Sequence, residues 1–230
     1  MIGLQLFAIA LALVAPLAMW AAHRRRPQPG IERAFALTIG ISLLLLYCAG
    51  LLEKFVDGEL DAAHALPMQL CDWTLMAVAA ALFWRWQTCF EVAYFWGLCG
   101  SSQALFTPAI PNELEVLRQL TFFLDHAGII AGILFLLLVP RMRPRSFSRA
   151  VVWSEIYLVL ALIANALTGA NYGFLAHKPA QASMLDLFSQ THALYIAEIN
   201  IVALVFFLAA YAPWWIADRL RRTRRAGAVN

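Results

Sequence analysis

Apolar residues run in long uninterrupted blocks along this chain, separated by short polar clusters. Crossing the hydrocarbon of a bilayer takes about 20 mostly apolar residues in a helix. Seven stretches reach that length: 2–22, 34–52, 67–84, 89–106, 119–139, 150–168 and 193–216. None alternates like a barrel strand, so closed helices are the way to satisfy the backbone in lipid. The pattern predicts an all-α polytopic membrane protein, with a seven-helix transmembrane domain over 1–216 and a basic tail over 217–230.

Composition agrees. Hydrophobic residues are 62% and charged residues 13% of the chain, too few charges to cover that apolar surface in water. A soluble enzyme, a disordered chain and a repeat solenoid are excluded. Charge then sets an orientation. Arg24, Arg25, Arg26 and Arg33 separate spans 1 and 2, Arg85 separates 3 and 4, and Arg141, Arg143, Arg145 and Arg149 separate 5 and 6. Arg219, Arg221, Arg222, Arg224 and Arg225 form the tail, leaving Lys54, Arg118 and Lys178 opposite. The positive-inside rule makes the arginine-rich side cytoplasmic, with the N-terminus out and the C-terminus in. The acids Glu53, Asp57, Glu59, Asp61, Glu113, Glu115 and Asp186 fall on the outer side. Nothing basic precedes span 1, so it reads as an anchor rather than a cleaved signal. The basic tail fits topology and anionic-lipid contact rather than nucleic-acid binding. Cys48, Cys71, Cys89 and Cys99 form no CxxC pair and imply no disulfide framework.

Ionisable groups inside spans are costly and face the bundle interior or water. Span 3 enters from outside with Gln69 and Asp72 in its first turns. Span 5 brings Asp125 and His126 about 10 Å below the outer boundary, at about 1.5 Å per residue. Span 7 carries Tyr195, Glu198 and Asn200 in its outer half. Spans 4 and 6 exit outward with Ser101, Ser102 and Gln103, and with Asn165 and Asn171. Acids and a histidine from three helices at one depth predict a polar pocket opening outward. Glu91 and Glu155 lie near the cytoplasmic ends, where Arg85 and Arg149 neutralise them.

Facing follows from about 100° per residue. On an unbroken helix Gln69 and Asp72 are about 60° apart, and Cys71 points about 130° from their midpoint. That makes Cys71 a packed thiol if Asp72 faces the pocket and the turn after Pro67 is regular. Asp125 and His126 flank one cavity without stacking, whereas Tyr195 and Glu198 share a face. Between spans 6 and 7, Asn171-Tyr172-Gly173 has turn chemistry, and Lys178 reaches either the pocket mouth or solvent. Span 7 has no lysine for a retinal Schiff base, and no HExxH, GxSxG or P-loop occurs. No metal or cofactor is implied by spacing, although Asp72, His126 and Glu198 offer ligand types if they converge.

Four segments carry a resemblance: Leu66-Pro67-Met68-Gln69-Leu70-Cys71-Asp72; Ala93-Tyr94-Phe95-Trp96-Gly97 with Gln103-Ala104-Leu105 and Thr107-Pro108; Phe122-Phe123-Leu124-Asp125-His126-Ala127-Gly128; and Asn171-Tyr172-Gly173-Phe174-Leu175 with Lys178-Pro179. In this order they resemble the YwaF family of bacterial integral membrane proteins, itself similar to a eukaryotic family credited with moving acyl chains between lipids. Gln69 stands where that family commonly has His. The resemblance implies a multi-pass protein of a bacterial inner membrane, membrane lipids as partners, and acyl-ester chemistry with a nucleophile from span 3 and a histidine from span 5.

In that scheme His126 is the general base and Cys71 or an activated water the nucleophile. Asp72 or Glu198 orients the imidazole, and Gln69 or Asn171 donates to the oxyanion. Asp125, Gln103, Tyr172, Lys178 and Tyr195 complete the substrate-binding set. The alternatives are a non-enzymatic protein that binds or transports a small polar or cationic ligand, and a scaffold whose polar residues only glue helices together.

Overall fold

A computed structural model describes residues 1–108, 110 and 115–227, with side chains through Arg221 and at Thr223. Glu113 and the side chains of Arg222, Arg224 and Arg225 lie outside the described residues. All secondary structure among the described residues is helical. Five helices are long and apolar enough to cross a membrane: α1 (Ile2–Arg25), α2 (Pro29–Val56), α6 (Val116–Leu138), α7 (Phe147–Thr168) and α8 (His192–Gly227). Between them lie α3 (Leu70–Trp84), α4 (Gln87–Trp96) and α5 (Gln103–Phe106). α8 continues without a break through the basic residues of the expected tail.

The expected fourth span is thus not one regular helix. α4 passes into a π-helical turn, Gly97–Ser101, before α5. Two glycines explain the break. A Cβ on Gly97 would come within 2.2 Å of Ile133 Cδ1, and one on Gly100 within 2.9 Å of Leu70 Cδ2. The missing side chains let this rod lie against α6 and against the first residue of α3, at a cost in helix propensity. Single π-turns inside helices often mark functional sites.

α6 is the hub. Of its apolar window 56% is buried, against 11–22% for the other four long helices, so α6 packs inside a ring whose outer faces are left for lipid. Its core residues Phe123, Ile129, Ile133, Phe135 and Leu136 are essentially inaccessible.

The arginine-rich end is knit by polar bonds. Glu91 is fully buried and accepts from the Arg149 guanidinium (2.8 Å), the Arg145 amide (2.8 Å) and Gln87 Nε2 (2.8 Å). Glu91 is therefore structural, as its place near Arg149 predicts. Glu155 is exposed on α7. Arg143 pairs with Asp218 at 2.8 Å, tying the α6–α7 connection to α8. Arg33 donates to the carbonyls of Leu82 and Phe83, closing α2 on the end of α3.

Candidate functional site

At the opposite end the chain enters α3 through a turn fixed from several sides. Trp73 Nε1 donates to Pro67 O at 2.8 Å, and the Tyr157 hydroxyl of α7 to Met68 O at 3.1 Å. Gln69 is the N-cap, with extended φ −73° and ψ 146°. Its amide donates to Asp72 Oδ2 at 3.0 Å, one half of a capping box. Helical geometry therefore begins only at Leu70.

That start corrects the facing expected for Cys71. A helix that already included Gln69 would keep Cys71 off the face shared by Gln69 and Asp72. With Gln69 extended, the relation between positions 69 and 72 says nothing about where Cys71 points. Cys71 faces α6, where its Sγ lies 3.1 Å from His126 Nε2.

The other ring nitrogen decides what this contact means. His126 Nδ1 is 2.7 Å from the carbonyl oxygen of Phe122, one turn earlier on α6. A carbonyl only accepts, so Nδ1 carries the proton. In the neutral imidazole Nε2 is then an unprotonated acceptor, directed at the thiol. His126 is 4% exposed and its ring lies 4.4 Å from that of Phe122, which fixes its plane. The orienting group expected from Asp72 or Glu198 is thus a backbone carbonyl.

Two further groups bear on the thiol. Ser101 ends the π-turn, is 2% exposed and approaches Cys71. Its hydroxyl has no hydrogen-bond partner. The other is the N-terminus of α3, where the amides of Leu70 and Cys71 precede any intrahelical acceptor.

Beside His126 lies a cavity of 240 Å³, lined among others by Tyr47, Gly50, Lys54, Asp72 and Asp125. Asp125 Oδ1 is buried without a partner. Asp72, Asp125 and His126 do converge on one void, as the sequence predicts. Glu198 does not join them: its Oε2 accepts from the Ser189 amide at 2.6 Å and serves the loop before α8.

Most of the expected substrate-binding residues of the 169–191 segment also have structural partners. Asn171 Oδ1 accepts from the amides of Ala176 and His177. The Tyr172 hydroxyl donates to Ala62 O at 2.8 Å and receives the Leu66 amide at 3.2 Å. Burial pushes the Tyr172 phenol above its ordinary pKa, with Asp61 and Asp72 adding to the effect, so it stays a donor. Lys178 Nζ reaches Phe188 O at 2.5 Å, and the Tyr195 hydroxyl donates to Phe174 O at 2.8 Å. Gln103 sits half-buried at the start of α5, two residues past Ser101.

This segment still reaches the site through Gln69, whose Oε1 accepts from the Gly173 amide at 3.0 Å. Gly173 has φ +63°, and a Cβ there would lie 2.5 Å from Tyr157 Oη. Gln69 is a brace between the two turns rather than a group directed at the thiol. Tyr157, in the middle of span 6, and Ser101 were not among the expected site residues. The Gly97–Gly100 spacing just before Ser101 was the available signal. Among the described residues no group of three or more His, Cys, Asp or Glu is arranged to hold a metal.

The model of the TMEM164 family matches residues 1–211 of this chain. The chain therefore belongs to the TMEM164 family. No curated protein and no solved structure matches it.

Proposed function

We propose that this TMEM164-family protein transfers acyl groups from membrane-lipid esters through a thioester on Cys71. The observation that carries the reading is the Cys71–His126 pair, with Nε2 left free by the Nδ1 bond to Phe122 O. His126 Nε2 takes the thiol proton as sulfur attacks the ester carbonyl. The tetrahedral oxyanion is met by the α3 N-terminal amides and the Ser101 hydroxyl, the donors nearest the thiol. As the intermediate collapses, the carbon–oxygen bond breaks and the imidazolium returns the proton to the departing alkoxide. A second hydroxyl, from water or a lysolipid, then loses its proton to Nε2, attacks the thioester and releases the thiol. Water makes the protein a hydrolase and a lipid hydroxyl makes it an acyltransferase.

Depth supports the reading. Trp84 and Trp86 stack at 5.0 Å and are exposed at the end of α3, as interfacial aromatics are. Cys71 is thirteen residues away, about 20 Å along the helix axis. In a hydrocarbon layer of about 30 Å the thiol then lies about 10 Å inside the far boundary, in the leaflet whose ester carbonyls line that boundary. Seven crossings follow when α3 and the α4–α5 rod count as spans. The arginine pattern then gives an N-terminus outside, an outward-facing site, a cytoplasmic basic tail and, with the family resemblance, a bacterial inner membrane.

The test is direct. Purified protein incubated with an activated acyl ester should gain one acyl mass on the Cys71 peptide. His126→Ala should slow that gain by about 10²- to 10⁴-fold, the usual worth of a general base, and Cys71→Ser should abolish the thioester. A His126→Ala protein acylated at the wild-type rate would remove His126 from the mechanism. The unpartnered Asp125 Oδ1 favours a second reading, in which the same cavity holds a small cation-bearing ligand without chemistry. Saturable ligand binding by a protein that never acylates would select it.

A further inference from the structure

Next to the 240 Å³ cavity beside His126 lies a larger one. A groove of 410 Å³ lies between α2 and α6, walled by Ala49, Leu52, Leu117, Leu120 and Leu124. Leu46, Glu53, Arg118 and Thr121 line both spaces. Two polar contacts bridge α6 and α2 there: the Arg118–Asp57 ion pair, and Thr121 Oγ1 donating to Glu53 Oε1 at 3.4 Å. Leu52 and Leu117 are more than 60% exposed on the flank, so the groove faces sideways, where lipid chains would lie.

We infer that this groove is the berth of the acyl chain: a membrane lipid enters between α2 and α6, its chain lies along the leucines, and its ester carbonyl reaches the inner cavity beside Cys71. The inference rests on the acyl-transfer reading above. Three features commit the groove to a lipid chain. Its walls are apolar while its rim is charged, the two-part chemistry of a glycerolipid near its ester. It adjoins the cavity beside His126, sharing Leu46, Glu53, Arg118 and Thr121 with it. The inner cavity alone is smaller than the ~300–1,000 Å³ of ordinary ligand pockets, so it has room for the reacting ester but not for a chain, whereas the groove falls within that range.

Chain length tests the inference. Ala49 lines the groove but not the inner cavity, so a larger side chain there narrows the berth and leaves the reactive pair untouched. Full-length Ala49→Trp and the milder Ala49→Leu, in detergent micelles, are incubated with p-nitrophenyl butyrate or p-nitrophenyl palmitate. Thioester formation on Cys71 is followed by mass spectrometry. The expected result is a loss of at least about tenfold with palmitate, in the range a filled apolar pocket gives, with butyrate changed by no more than about twofold. Ala49→Leu should fall between wild type and Ala49→Trp. Equal losses for both esters in both variants, or no loss in either, overturn the berth and leave the acyl-transfer reading standing. A wild-type protein that takes neither acyl group onto Cys71 overturns the acyl-transfer reading itself.

Discussion

A histidine whose ring reaches the carbonyl one turn earlier needs no carboxylate to hold its tautomer. Phe122 O performs that role for His126, in place of the acid that sequence reasoning supplied from Asp72 or Glu198. Replacing either acid should therefore leave the imidazole oriented: Glu198→Gln should keep a thioester rate within about threefold of wild type, because general-base catalysis depends on Nε2 geometry. A larger loss would mean the 189–198 loop contact is coupled to the site. Ser101→Ala is the contrasting case. Its hydroxyl is buried, unpartnered and beside the thiol. If it meets the oxyanion, its loss should cost about 10²-fold in acylation rate with little change in thermal stability, since only a contact with the Cys71 sulfur is lost. Gly173→Ala should do the reverse and destabilise the protein first. Left-handed backbone costs an L residue about 1–2 kcal/mol, and the contact with Tyr157 Oη adds to it. A lowered unfolding temperature in detergent, with the 16-carbon and four-carbon acyl preference unchanged, is the expected readout.

Among the elements, what the sequence could reveal depended on whether hydrophobicity or side-chain capping set the boundary. α1, α2, α6, α7 and α8 announce themselves by length and hydropathy, each at least 22 residues long with an apolar core. The start of α3 does not. Residues 67–69 are as compatible with helix as with a turn until Trp73, Tyr157 and Asp72 claim their backbone groups. That three-residue uncertainty is why Gln69 and Asp72 could not tell which way Cys71 points. Convergence of Asp72, Asp125 and His126 survived it, because depth in the bundle depends on span order and not on the phase of one helix. Partners for Glu198, Asn171 and Lys178 were not legible, since each bonds loop backbone whose path no periodicity encodes. The π-turn follows the same logic. Gly97→Leu should force Ile133 away and straighten or detach the rod, an overpacking cost of about 1–3 kcal/mol, measurable as a shifted unfolding midpoint. Because Ser101 closes that turn, acylation should fall with it, whereas Gly30→Leu, where a Cβ meets open space, should change neither.

The molecule as a whole is polarised: the Glu91, Arg143 and Arg149 network knits one end, and the Cys71–His126 contact and the two cavities gather at the other. Glu91, Arg143 and Arg149 belong to the first end, and their bonds link α4, α7 and α8. This polarity makes orientation a functional statement, because the end facing out determines which leaflet supplies the substrate. His64, in the α2–α3 connection, and Ser148, at the start of α7, are exposed at opposite ends. A chain with Cys48, Cys71, Cys89 and Cys99 replaced, carrying either His64→Cys or Ser148→Cys, separates the two orientations. On intact cells a membrane-impermeant maleimide should label position 64 at once and position 148 only after permeabilisation, as the arginine distribution requires. The opposite pattern would turn the cavity towards the cytoplasm and make the inner-leaflet lipids its substrates, with the Cys71–His126 chemistry unchanged.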